Sequence, residues 1–361
     1  MAMSRGANGM KNTTVTTPVG VALADSTISV SPYDPDDEYW QEILRRRITL
    51  ALLVIYSIIF TLGLVGNGLV ILILGSYMKK TVNTIWFLNL TVANFICACS
   101  LPLRIVHSAL KLHWPFGKAI CKLNDSVAYL NLYASAYFLM ALSVDRCVSA
   151  KSSGWAQNPQ RNRIACFVAS GIWVLALVLS SPRIHFRSTM PSPIDEEVTI
   201  CFFIYGSTFK QTKINRLIML ISQCIFAFVI PISVTIASYV PRAKGQGPVA
   251  RWSKSFTVIT AVTATFYLSW LPYHVFSFLD TQLYTTSKVL IIGTPLATGL
   301  AFASTCVNPI LYIVIGYDFK ERPRRSTLAA FENVFGEESS SSRRMPETQA
   351  KPSTEMNSPD L

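Results

Sequence analysis

The sequence predicts an all-α membrane protein, a bundle of seven transmembrane helices closed by a short C-terminal interfacial helix. Three observations predict this. Of 361 residues, 51% are apolar and only 14% charged, with a mean hydropathy of +0.38, which is too apolar for a soluble chain of this size. Seven apolar segments, each long enough to cross a bilayer, fall at about 48–76, 84–110, 118–150, 164–181, 214–240, 256–280 and 288–315. The third begins at Cys121 and ends beyond Asp145-Arg146-Cys147. At about 1.5 Å per residue, Cys121 to Arg146 spans roughly 37 Å of helix, against a hydrocarbon core of about 30 Å. One helix therefore carries a cysteine at one membrane face and an acid–base pair at the other.

Residues 1–47 are polar and rich in Ser, Thr, Pro and Asp, and read as a disordered acidic N-terminus. Asn12-Thr13-Thr14 is a glycosylation sequon, so Asn12 is a candidate acceptor. Two further sequons, at Asn89 and Asn124, fall in or against membrane helices and are discounted. Asp25, Asp34, Asp36, Asp37, Glu38 and Glu42 surround Tyr33 and Tyr39 with no Lys or Arg among them. They form either a solvated tail or a capture segment for a cationic ligand, which would raise on-rate more than affinity. No secretory signal-peptide pattern precedes the first apolar run, which is expected to act as its own signal anchor.

The net charge of +12 is not a nucleic-acid signal, because much of it lies in short loops and the proximal tail beside lipid headgroups. Loop charge orients the chain only weakly; the sequon and the acids favour an extracellular N-terminus, in the plasma membrane. Eight cysteines are scattered with no metal-ligand spacing, so no metal or other cofactor is expected. Cys121 and Cys201 both fall on the predicted outer side. That oxidising setting favours a disulfide over two free thiols, although spacing alone does not fix the pairing.

Polar residues inside the spans are costly and therefore informative. Asn67, Asn94, Asn131, Ser135 and Asn308, spread over spans one, two, three and seven, suggest one shared interior network. Pro102, Pro231, Pro272, Pro295 and Pro309 loosen helices two, five, six and seven, as suits a bundle with two packings. After the last span, residues 316–324 read as a short interfacial helix and 325–361 as a disordered cytoplasmic tail. Within that tail Ser339, Ser340, Ser341 and Ser342 follow Glu337-Glu338, as low-complexity sequence or as a phosphorylated cluster. A transporter would need paired charges or repeated broken helices. A membrane enzyme would need clustered chemistry, yet His107, His113, His185 and His274 are dispersed.

Over about 48–320 the chain resembles the rhodopsin-like G-protein-coupled receptors. The resemblance rests on Gly66-Asn67, Asn89-Leu90 with Ala93, Cys121, Asp145-Arg146, Trp173, Pro231, Tyr239, Trp270-Leu271-Pro272-Tyr273 and Asn308-Pro309-Ile310-Leu311-Tyr312. Within that class it is similar to the chemoattractant branch, near the chemerin and formyl peptide receptors. Met78 to Asn83, Trp86 to Leu90, Trp114 to Gly117, Ser181-Pro182, Pro272-Tyr273-His274 and Pro295 to Thr298 carry this finer likeness. The resemblance implies a receptor, not an enzyme, for an extracellular peptide or small protein, signalling through an inhibitory-type G protein and arrestin. It implies a pocket lined by Arg104, Tyr129, Gln223, Tyr273, His274 and Thr298. It also implies a switch built from Asn67, Asn94, Asn131, Ser135, Asp145, Arg146, Tyr239, Trp270, Pro272, Asn308, Pro309 and Tyr312. Tyr129, Met219 and Gln223 replace the charges that formyl peptide receptors use, which disfavours formyl peptides; complement-like and lipid attractants remain alternatives. Asn94 replaces the family's usual aspartate, so weak or no sodium binding is expected. Ser153 and Gly154 replace the usual proline and bulky apolar residue, Pro241 is expected to break helix five early, and Gly245 and Gly247 loosen the next loop. These departures imply an alternative, a ligand-binding receptor with weak G-protein coupling.

Overall fold

In a computed structural model of the chain, the structure describes residues 35–193, 195–243, 254–283 and 288–316. Asn12, Ser339 to Ser342, the expected interfacial helix beyond Gly316 and the tail lie outside the described residues. Of residues 1–42, only 35–42 are described, as the opening turns of the first helix.

The elements follow the chain in order. Helix α1 runs Pro35–Leu72 and ends in a π-turn, Ile73–Tyr77. Next come α2, Val82–Ala109, and α3, Gly117–Lys151. A short α4, Ser153–Ala156, leads into α5, Arg161–Ser180, and α6, Pro182–Phe186. Strands β1, Arg187–Pro191, and β2, Thr199–Phe203, pair antiparallel with Thr189 opposite Cys201. Helix α7, Phe209–Cys224, passes through a π-turn at Ile225–Val229 into α8, Ile230–Ala243. Helices α9, Lys254–Leu283, and α10, Lys288–Gly316, complete the chain.

Local chemistry accounts for the boundaries. Thr81 caps α2 by accepting from the Thr84 amide at 3.3 Å, and Thr208 caps α7 by accepting from Gln211 at 3.3 Å. Pro231 has no N–H to return to the preceding turn, and the π-turn just before it absorbs the mismatch. Two expectations are corrected. Residues 35–47, read as disordered, are helical and continue α1, and α8 runs through Pro241 to Ala243 rather than stopping there.

Among the described residues, six helical stretches are long and apolar enough to cross a membrane. The chain is thus a multi-pass helical membrane protein. Helix α9 has the length, at 30 residues, but its Thr, Ser, Tyr and Pro residues dilute its apolarity below the others. Helix α3 is the axis of the packing: 72% of its most apolar window is buried, against 17% for the first and fifth crossings. Leu132, Phe138, Leu139 and Leu142 on α3 meet Phe87, Ile259 and Tyr312 in one core. Val54, Ile58, Val65 and Leu268 are exposed, as lipid-facing positions of such helices are.

Candidate functional site

The two ends of α3 hold separate polar clusters. At the hairpin end, Cys121 and Cys201 form a disulfide with Cα atoms 5.9 Å apart. The Trp114 amide donates to the Thr199 carbonyl at 2.7 Å, and Trp114 packs with both cysteines in a buried cluster. The backbone enters α3 through three left-handed residues, Lys111, Leu112 and Gly117. These contacts seat β2 over the end of α3, and the expected pairing of the two cysteines is present.

Asp125 and Tyr129 lie one turn apart on the same face of α3. The Asp125 carboxylate accepts from Arg104 of α2 at 3.1 Å, and the Arg104 guanidinium lies 4.8 Å from the Phe302 ring of α10. Tyr129 and Tyr273 of α9 share a hydroxyl–hydroxyl hydrogen bond of 2.5 Å. The Arg183 guanidinium covers the Tyr129 ring at 3.7 Å. It also donates to Gln223 of α7 at 2.5 Å and to the Tyr205 hydroxyl at 3.4 Å. Arg187 on β1 lies 4.3 Å from the Phe203 ring. Burial pushes its pKa down, with Asp125 opposing, and burial pushes Tyr205 up, with Arg183 opposing. Arg183 is only 4% exposed, and its charge is faced by the Tyr129 and Phe203 rings, the Gln223 carbonyl and the Tyr205 hydroxyl.

Five of the six expected pocket residues meet here. Arg104 joins Asp125; Tyr129, Gln223 and Tyr273 gather around Arg183; His274 packs on Tyr273 and Phe228. Thr298 stands apart, its hydroxyl donating to Thr294 one turn back. Sequence reasoning missed Asp125, Arg183, Phe203 and Tyr205. An acid inside an apolar span is the sequence signal for Asp125. Gln223 Nε2, His274 Nε2 and Trp270 Nε1 are buried polar atoms with no protein partner.

At the opposite end of α3, Asp145 was expected to serve Arg146 beside it. The structure brings another arginine to it from α5: Arg161 donates to the carboxylate at 2.7 and 3.3 Å and to Ser149 at 2.7 Å. The Trp155 indole of α4 donates to Asp145 at 3.3 Å. Arg146 is half-buried on the last turns of α3. Tyr312 is fully buried edge-on to Phe87 at 5.3 Å, and Tyr239 packs on Phe256 at 5.6 Å.

Among the described residues, the interior polar side chains make the following contacts. Asn67 donates to the Gly63 and Thr305 carbonyls at 2.8 and 2.9 Å, tying α1 to α10. Asn131 accepts from Ser135 within α3 at 3.2 Å. Asn94 and Asn308 are buried, and Asn94 Nδ2 has no protein partner. Gly66 lets α10 approach, since a Cβ there would sit 3.1 Å from Pro309. Trp270 meets Tyr273 edge-on at 5.5 Å, the two flanking Pro272 within α9. The two discounted sequons are indeed helical: Asn89 accepts from Trp173 at 2.9 Å, and Asn124 is buried on α3.

The chain is thus a helical membrane bundle with a disulfide-tethered hairpin and an arginine–tyrosine cluster at one end of α3, and an acid–arginine cluster at the other. The chain belongs to the seven-transmembrane receptors of the rhodopsin family, whose family model matches residues 66–312. Members of that family are receptors, not enzymes. Within it the chain falls among the chemerin-like and C3a-like chemoattractant receptors. It is 38% identical to Chemerin-like receptor 1 of Mus musculus over 286 residues, covering 75% of this chain and 76% of that one. It is 36% identical to Chemerin-like receptor 1 of Homo sapiens, covering 82% and 86%. To the C3a anaphylatoxin chemotactic receptor of Oncorhynchus mykiss it is 37% identical, covering 85% of each.

Proposed function

We propose that this chain is a plasma-membrane receptor for an extracellular chemoattractant peptide or small protein, whose acidic terminus reaches the arginine cluster beneath the hairpin. The observation that carries this is a charge imbalance. Arg104, Arg183 and Arg187 gather in a cluster whose acid, Asp125, is already paired to Arg104. A carboxylate arriving at Arg183 gains charge-assisted hydrogen bonds in a nearly dry site. The names of the relatives suggest chemerin-like and C3a-like proteins as the ligand class. The N-terminus is extracellular in this reading, Asn12 carries glycan, and α9 makes the seventh crossing. Residues 316–324 then lie at the inner membrane face as the interfacial helix.

An inhibitory-type G protein and arrestin read the other end, with Ser339 to Ser342 as the phosphorylated arrestin-recruiting cluster. Ligand shifts the receptor only insofar as it binds the open form better than the closed one. A second reading has its own observation. Trp155, which follows the atypical Ser153-Gly154, is drawn onto Asp145, so this loop is engaged with its own receptor, and coupling to G protein is weak.

Cells expressing the chain, titrated with a chemerin C-terminal peptide and separately with a C3a C-terminal peptide, test both readings. Saturable binding with inhibitory G-protein dissociation and arrestin recruitment is the expected result. Binding with arrestin recruitment alone selects the second reading. Absence of binding by either peptide removes the ligand assignment.

A further inference from the structure

We propose that the Tyr129–Tyr273 hydroxyl bridge, governed by Arg183, is a latch between α3 and α9 that an anionic group taking Arg183 releases. That release step rests on the arginine cluster being the ligand site; the latch itself does not.

Helix α3 is the most buried helix and is anchored at this end by the Cys121–Cys201 disulfide. It is a fixed post. Helix α9 is different, because Pro272 removes one backbone hydrogen bond and lets its two halves tilt against each other. Tyr273 is the next residue, and its 2.5 Å bond to Tyr129 ties this weak point to the post. Its ring also rests on Trp270 at 5.5 Å, below the break. A restraint on Tyr273 therefore holds both sides of the hinge.

Arg183 sets the strength of that restraint. Its guanidinium lies 3.7 Å from the Tyr129 ring centroid. A cation over the face of a phenol draws density from the ring and makes its hydroxyl a better donor. Tyr129 is then the donor and the Tyr273 oxygen the acceptor. Gln223 and Tyr205 hold Arg183 in place from two other elements. When a carboxylate neutralises Arg183 or draws it off the ring, Tyr129 becomes an ordinary phenol and the bridge weakens. The ligand's charge is thereby felt at the α9 hinge without the ligand touching Trp270.

The test uses the full chain in lipid nanodiscs, with neither ligand nor G protein. Spin labels carried by noncanonical amino acids replace Lys151 at the end of α3 and Thr257 near the start of α9, both exposed. Tyr129→Phe and Tyr273→Phe each remove one oxygen and keep the ring packing. Each is expected to raise the ratio of long to short distances about fivefold, the factor carried by one ordinary hydrogen bond. The double variant is expected to go no further, because both remove the same bond. Arg183→Gln is expected to shift the ratio in the native background and not in the Tyr129→Phe background. Unchanged distances in both phenylalanine variants would overturn the latch. So would multiplied effects in the double variant, or an Arg183→Gln shift that survives Tyr129→Phe. Because the readout needs no ligand, a receptor that ignores both chemoattractant peptides leaves this result standing.

Discussion

Arg183 and Arg104 show how one side chain at membrane depth is tolerated only through its partners. Arg104 is paired to Asp125 with side-chain exposures of 22% and 9%. Arg104→Ala leaves a buried carboxylate alone and is expected to lower unfolding free energy in detergent by about 3–5 kcal/mol. Adding Asp125→Leu should recover most of that loss, because a buried pair replaced by apolar groups is close to neutral. A double variant no more stable than Arg104→Ala would show that the pair is not what Arg104 contributes. Glycines give a second contrast. A Cβ on Gly293 would collide with the Phe276 ring, whereas one on Gly171 meets nothing within 4 Å. Gly293→Ala is expected to cost about 1–3 kcal/mol through overpacking between α10 and α9. Gly171→Ala, in mid-helix, should gain roughly 0.5–1 kcal/mol. Thermal unfolding of both variants checks the sign. At this scale the sequence was partly legible. Tyr129, Gln223 and Tyr273 are placed by the family likeness, whereas Arg183 is not. Its role needs β2, α3 and α7 to arrive from distant parts of the chain, and no local pattern records that.

Long apolar helices are legible because each must satisfy its backbone internally and match a bilayer's thickness. The elements that escaped are those whose reason is tertiary. The hairpin Arg187–Phe203 reads as a long loop until the disulfide and the Trp114–Thr199 bond seat it. Cys201→Ser is therefore expected to lose about 2–5 kcal/mol and to abolish saturable peptide binding, measured on intact cells. Retained affinity would separate the hairpin from the ligand site. Helix α4 escaped for the same reason, since Trp155 finds Asp145 only after α3 and α5 have packed. Trp155→Phe keeps an aromatic ring, though a smaller one, and removes the indole hydrogen bond to Asp145. If that contact withholds the loop from G protein, agonist-driven nucleotide exchange should rise about fivefold, the factor of one ordinary hydrogen bond. An unchanged exchange rate would place the weakness, if any, elsewhere.

Across the whole molecule, charge is sorted by depth along α3. One end gathers arginines around Asp125 and Tyr129, the other commits Asp145 to Arg161, and between them the core is largely apolar. The acids of the N-terminal segment suit a ligand with a basic body, while the arginine cluster suits an acidic end. Sequence reading alone saw only the first of these, because net charge along a chain does not show which arginines converge. The most direct measurement compares a chemerin C-terminal peptide as free acid and as C-terminal amide, by competition binding on the native receptor and on Arg183→Gln. The account predicts that the amide binds about 10- to 100-fold more weakly on the native receptor, as loss of a charge-assisted bond requires, and that Arg183→Gln removes the difference. Equal affinity of acid and amide on the native receptor would contradict it.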